Sequence, residues 1–497
     1  MSLSSALSTA QQIFNNTGIQ SGVASKNIAN AQNANYVRRS AVLMTGGNGA
    51  LVVGIERSQN QALYRQTIES AAQFSGQQIL LSGLQEMKSL MGGNDYETSP
   101  SILISNLRES LQTWASKPSE VTVGASVVAT ARDLANSLNN ASNELQAIRK
   151  RADNEIKQSV DNLNGLLAKF EIANSKVKQE IAVGGNPNDA LDERETLLKQ
   201  ISEIVGVTAV RRENDDLALY TSDGNVLFET IARSVTFTPT SAYGAATVGN
   251  GIFIDGIPLK AGSGAETSAK GSLQGLLQLR DESVPIFQSQ LDEIARGLIV
   301  AFAETNPDPA TVPPLPTLPG MFTWTPTPPP VPPATAPMPG DTAIEPGLAG
   351  RIKINPKVVP PTGDPNLIRD GGINGPGYVL NTDGSASFAD RLMALDNAFD
   401  TKIVFMDGTQ IGGSFSLVSF AANSVGWLEM NRSGASSAAE NKLAMMSRAF
   451  DAYSSETGVS LDEELSLLLD IEQSYKAAAK LMSTIDEMLQ ALMEAAR

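Results

Sequence analysis

The sequence contains no histidine and no cysteine. The first absence excludes Ser-His-Asp and Cys-His catalytic arrangements and imidazole metal ligands; the second excludes disulfides, thiolate nucleophiles and cysteine-bound zinc. Any catalysis would have to rest on carboxylates, lysine, serine, threonine or tyrosine. No stretch approaches the roughly 20 apolar residues of a membrane span. Met1-Ser2-Leu3-Ser4-Ser5-Ala6-Leu7 lacks the basic and apolar regions of a secretory signal, so neither Sec export nor membrane insertion is expected. Positive charge is also short: 37 Lys and Arg against 53 Asp and Glu leave a formal charge of −16. Such a field repels phosphates, so nucleic acid and anionic lipid are not expected as partners.

What is present is length, 497 residues, enough for about three domains, and a clear division of pattern. Both ends carry apolar residues at alternating steps of four and three. At the N-terminus these are Leu3, Leu7, Ala10, Phe14, Thr17, Ser21, Ala24 and Ile28, a stripe that weakens to small residues; at the C-terminus they are Leu468, Ile471, Tyr475, Ala478, Met482, Ile485, Leu489 and Leu492. The rhythm predicts helices wanting partners, and the N-terminal stripe is too poor in large side chains to order alone. A long helix is predicted over about 125–181 and another over 67–91, stopped by Gly184-Gly185-Asn186-Pro187 and Gly92-Gly93. Short β-like runs follow between 217 and 259, with turns at Asp223-Gly224 and Asp255-Gly256. A further helix carries Leu273 to Phe302, kinked or divided at Pro285.

Fourteen of the 26 prolines lie between Pro307 and Pro339, which predicts an extended linker or surface loop. The fold class implied is α+β and elongated: terminal helices form a coiled core and bundle around β-rich middle domains. The expected divisions are 1–60 with 461–497 as the terminal coiled core, 61–202 with 441–460 as a helical bundle, 203–306 as a β-rich domain plus returning helix, 307–346 as the proline-rich linker, and 347–440 as a variable β-rich outer domain.

Candidate chemistry is sparse. Asp189, Asp192, Glu193 and Glu195 form the one carboxylate cluster that could be proposed for acid-base work, but acids following Pro187 and Asn188 are also what a helix start favours through the dipole, and that explanation is preferred. Gly46-Gly47-Asn48-Gly49 lacks the register of a phosphate loop and reads as a hairpin turn; Asn381-Thr382-Asp383-Gly384 lacks the remaining ligands of a calcium loop and reads as a turn. No cofactor, metal or catalytic residue is expected.

The segment Ser25-Lys26-Asn27-Ile28-Ala29-Asn30, continuing to Asn35-Tyr36-Val37-Arg38, resembles the Asn-Asn-Ile-Ala-Asn…Gly-Tyr-x-Arg signature of flagellar rod, hook and hook-associated proteins. Lys26 replaces the first Asn, and Asn35 stands where glycine is usual, a residue that tolerates positive φ. Asp189 to Leu198 resembles an Asp-Leu-x-Asp-x-Arg-Asp-x-Leu-Leu motif of the FlgK family of hook-associated proteins, the hook-filament junction proteins. Gly458 to Leu465, with Ser474 to Lys480 and Ser483 to Leu489, is similar to that family's C-terminal signature.

The resemblance implies a non-enzymatic component of the extracellular bacterial flagellum, joining hook to filament as a ring of subunits and exported without a cleaved signal. Its implied partners are further copies of itself, the hook protein, the second junction protein on the filament side, and a flagellar export chaperone. The stripe and motif residues expected at the assembly and chaperone interface are Leu3, Leu7, Phe14, Ile28, Tyr36, Arg38, Leu461, Leu468, Ile471, Tyr475, Met482, Ile485, Leu489 and Leu492. The competing readings are another axial protein, of rod or hook, and a secreted carboxylate-dependent cell-wall hydrolase using the 189–195 cluster.

Overall fold

The computed structural model describes residues 3–46, 49–307, 313–326 and 336–495. The fold is mixed α+β and elongated, as the periodicity predicts. Its N-terminal stripe becomes helix α1 (Leu3–Ala29), followed by an antiparallel hairpin of β1 (Arg39–Gly46) and β2 (Gly49–Arg57). Helix α2 (Gln61–Leu90) begins at Asn60, whose side chain accepts hydrogen bonds from the backbone N–H groups of Ala62 and Leu63, a regular N-cap.

After α3 (Pro100–Ser116), helix α4 (Val121–Ala182) runs for 62 residues without a break, about 93 Å at 1.5 Å per residue. It is the spine of the body. Its first half packs Leu134, Leu138 and Leu145 into a large core shared with α2, α3 and the later helices, while Ile156, Leu163, Leu167 and Phe170 enter a second core. That second core also takes in α5 (Asn188–Ile204) and two three-stranded antiparallel sheets. These are β3 (Val207–Arg211), β4 (Leu217–Thr221) and β5 (Val226–Phe228), then β6 (Val235–Thr236), β7 (Phe253–Ile254) and β8 (Ile257–Pro258). Asp255 and Gly256 both have positive φ, the conformation a two-residue hairpin turn demands.

The chain returns through α6 (Ser272–Gln278) and α7 (Val284–Ala301). They are joined by a π-helical turn at Leu279–Ser283, immediately before Pro285. Proline lacks the N–H that would continue the ladder, and the widened turn absorbs that loss. Helix α6 crosses α2 at glycine: a Cβ on Gly275 would lie 2.7 Å from the Gly76 carbonyl oxygen.

The outer region comprises β9 (Phe322–Trp324) paired with β10 (Ile352–Ile354), α8 (Asn366–Asp370), α9 (Asp390–Ala398), and β11 (Lys402–Phe405) paired with β12 (Gly413–Ser416). Two expectations change here. Of the proline-rich stretch, residues 308–312 and 327–335 lie outside the described residues, but part of the rest is core rather than linker. Met321, Phe322 and Trp324 are buried in the main core, Phe322 meets Phe302 at 5.2 Å between ring centroids, and the Trp324 indole donates to the Pro337 carbonyl. The surrounding prolines mask a short apolar island that is long enough for one strand. The second change is at the end of the outer region, where α10 (Leu417–Thr457) replaces the boundary expected at 440. Its inward residues toward that boundary, Ala435, Ala438 and Ala439, are small and pack closely along α2, so no large apolar stripe announces the helix. Finally, α11 (Leu461–Ala495) runs back to α1. No described helix is long and apolar enough to cross a membrane.

Candidate functional site

The two chain ends meet in one module. Along α11, Ile471, Ala478 and Ile485 are buried at seven-residue intervals, the spacing that keeps a helix face against a partner. The partner is α1. Phe14 meets Tyr475 edge to face at 5.0 Å, and an open groove of about 480 Å³ is lined by Leu7, Phe14, Ala479, Met482, Ile485 and Leu489. Leu7 sits toward residue 489 and Phe14 toward residue 475, so the helices run antiparallel.

Of the residues expected at an interface, Leu7, Phe14, Tyr475, Met482, Ile485 and Leu489 are brought together by this pairing. Leu3, Ile28 and Leu468 are half-buried beside it. Tyr475, Leu461, Leu489 and Leu492 remain 43–54% exposed, with Leu465, Leu469, Leu481 and Met488 exposed as well. Helix α1 covers one face of α11 and leaves another bare.

Tyr36 and Arg38 do something different: they belong to the joint between this module and the body. The Tyr36 hydroxyl donates to Asn27 Oδ1 at 2.8 Å; Asn27 Nδ2 donates to the Arg39 carbonyl at 2.8 Å, and Arg39 N–H donates back to Asn27 Oδ1. The fully buried Asn27 thereby fixes the chain as it leaves α1. The hydroxyl bond ties the signature's Asn27 to its Tyr36. Asn35 does not use the left-handed conformation; its N–H is held by Asn33 Oδ1 in a local turn. Arg38 N–H donates to the Thr457 carbonyl at the end of α10, and Arg38 Nε pairs at 2.7 Å with Glu464, a fully buried carboxylate in the first turn of α11.

The acid cluster completes the joint. Arg39 pairs with Asp189 and Asp192 at 2.6 and 2.7 Å, and Arg57 with Asp192 and Glu195 at 2.6 and 2.8 Å. The two arginines stand at the feet of β1 and β2, where they face each other across the ladder, and the acids form the first turns of α5. Asn188 Nδ2 donates to the Ile55 carbonyl, Tyr64 hydroxyl to the Glu195 carbonyl, and Tyr453 hydroxyl toward Glu195 Oε2. Burial pushes the Asp192 carboxyl above its ordinary value while Arg57 and Arg39 pull against it. Burial also works against the Arg57 charge, but Glu195 and Asp192 outweigh it and hold the guanidinium more firmly protonated. Glu193 points outward and is exposed.

The helix-start explanation of residues 189–195 is therefore correct but incomplete. Their partners lie more than 130 residues away in sequence, which no local pattern reveals. The available signal was Arg38, Arg39 and Arg57 flanking two strands in a strongly acidic chain. No group of three or more acids among the described residues is placed to hold a metal ion.

Fold and site together define a structural protein whose two ends co-fold into an antiparallel helical module, pinned by an arginine-carboxylate joint to a long helical body. The profile of the flagellar hook-associated protein FlgK helical domain matches residues 84–308, and that of the flagellar basal body rod FlgEFG protein C-terminal region matches residues 447–495. Flagellar hook-associated protein 1 of Escherichia coli (strain K12) is 24% identical over 60% of this chain, which spans 56% of that relative's length. The protein of the same name from Bacillus subtilis (strain 168) is 23% identical over 97% of this chain and 96% of its own. A solved chain, titled the structure of the flagellar hook junction protein FlgK from Burkholderia pseudomallei, aligns at a TM-score of 0.41 with 18% identity, covering 52% of this chain and 46% of that one. The chain is similar to the FlgK family of flagellar hook-associated proteins along its helical body and to flagellar rod proteins at its C-terminal helix.

Proposed function

We propose that this chain is a structural subunit of the bacterial flagellum that joins hook to filament as one member of a ring. The observation that carries this reading is the half-covered terminal module: α11 buries Ile471, Ala478 and Ile485 against α1 but leaves Leu465, Leu469, Leu481 and Met488 open. An exposed apolar strip on a helix of this length favours association, and the similarity to hook-associated proteins suggests its setting. The fourteen interface residues named from the sequence divide in this role. The stripe residues provide packing surface, while Tyr36 and Arg38 aim the module relative to the body.

Exposed before assembly, the same strip requires cover; an export chaperone on α11 supplies it, and neighbouring subunits, the hook protein and the filament-side junction protein replace it. Export to the extracellular flagellum proceeds without a cleaved signal. The hydrolase alternative loses ground, because Asp192 and Glu195, the covered members of the cluster, are engaged by Arg39 and Arg57. Electron microscopy of flagella from cells lacking this chain tests the proposal. Hooks without filaments are the expected result; filaments of normal number and attachment would overturn it.

A further inference from the structure

The terminal module has a second exposed apolar feature, the tip of the β1–β2 hairpin. Leu43, Met44, Leu51 and Val53 are each 46–57% exposed, on strands that pair Leu43 with Val52 and Met44 with Leu51. A bulge between Val42 and Leu43 twists the tip away from a regular ladder. Large apolar side chains gathered on both surfaces of a two-stranded ribbon do not serve this chain's own core.

Hairpin and groove lie on opposite sides of α1. At 100° per residue around a helix, Leu7 and Phe14, which line the groove, point roughly opposite to Thr9, Gln12 and Asn16. The latter side carries the hairpin: Asn16 Nδ2 donates to the Ala50 carbonyl and Asn16 Oδ1 accepts from Val52 N–H, while Gln12 and Thr9 approach Gly49. An exposed apolar ribbon on one side and an apolar groove on the other form a head-to-tail pair of surfaces. Two different faces that complement each other build rings or helices, whereas a single self-complementary face closes a dimer.

Charge points the same way. Residues 40–55, the hairpin above its arginine feet, contain no charged residue, while residues 461–495 contain eight acids and two lysines, a net of −6. Asp486 stands in the groove wall. An uncharged hairpin approaching α11 of another chain therefore meets no like charge, whereas two α11 helices approaching each other meet repulsion.

We propose that the hairpin tip of each copy, through Leu43, Met44, Leu51 and Val53, docks into the α1–α11 groove of the next copy. This rests on the ring reading above and adds which surfaces meet. The absence of cysteine makes the test clean. Flagella are isolated from cells producing a full-length Met44→Cys chain together with a full-length Met482→Cys chain, and are oxidised mildly. Ala479→Cys serves as a second groove probe should Met482→Cys perturb packing.

A disulfide-linked dimer in the mixed flagella, at least tenfold more abundant than in flagella carrying either variant alone, is the expected result. Dimers from Met44→Cys alone would overturn the proposal in favour of a hairpin-to-hairpin contact. Incorporation of both chains without a mixed dimer from either groove probe would overturn it and leave the ring reading standing. Absence of the unmodified chain from flagella would remove the ring reading and the proposal together.

Discussion

Helix α4 and helix α11 carry the same three-four apolar rhythm but meet different fates. In α4 the stripe residues Leu134, Leu138, Leu145, Leu163 and Leu167 are all completely buried, enclosed by α2, α3, α5, α7 and the sheets. In α11 the seven-residue row Ile471, Ala478 and Ile485 is buried, while the neighbouring leucines stay in contact with solvent. A heptad pattern therefore specifies a helix that needs a partner, but it does not say whether the partner is in the same chain. The body completes its core by itself. The terminal module supplies one helix, α1, to α11 and leaves the rest of the requirement open.

The sharpest way to break this comparison is at the joint that links the two regions. Arg57→Ala leaves Asp192 and Glu195 without their shared buried cation, and losing one partner of such a network costs about 3–5 kcal/mol. Hydrogen exchange should show β1 and β2 opening with the body still protected. Simultaneous opening of hairpin and body would mean that the two regions are one cooperative unit.

Next comes the contrast between cores. Leu145→Ala removes a fully buried side chain from α4 and is expected to lower the body's stability by about 2–5 kcal/mol in denaturant unfolding. Ile471→Ala, a comparable truncation in the terminal seam, should leave the body's transition where it is. Equal losses from the two substitutions would erase the distinction.

The smallest effect belongs to Asp189. Its side chain is 77% exposed although it lies 2.6 Å from Arg39, and exposed pairs contribute about 0–1 kcal/mol. Asp189→Asn should be nearly silent in thermal unfolding, while Asp192→Asn, in the same turn but 14% exposed and touching both arginines, should not. A large loss from Asp189→Asn would show that the cluster acts as a single unit with no graded burial.

How far the sequence foretold this depends on the range of the interaction. The α4 helix, the turn at Asp255-Gly256, the break at Pro285 and the pairing row on α11 were legible because each rests on spacing or backbone chemistry within a few residues. The exposure of Tyr475, Leu489 and Leu492 was not legible, since it depends on how much of α11 a small-residue α1 can cover. The joint was half legible: the acids marked a helix start, but their arginine partners come from a hairpin far away in the chain. Helix α10 escaped along its inner alanines because close packing on α2 selects small residues and suppresses the apolar signal. The β9 strand escaped because three buried residues inside a proline-rich stretch are too few to show a period.

The central claim is that the terminal seam serves assembly while the body folds without it. Ile485→Asp tests this most directly, placing a charge at a position that is buried against α1, where an unpaired charge costs several kcal/mol. Measured in one strain and one purified full-length chain, the account predicts an unchanged melting transition for the body, weakened chaperone binding, and flagella that end at the hook. Normal chaperone binding together with normally attached filaments would contradict it.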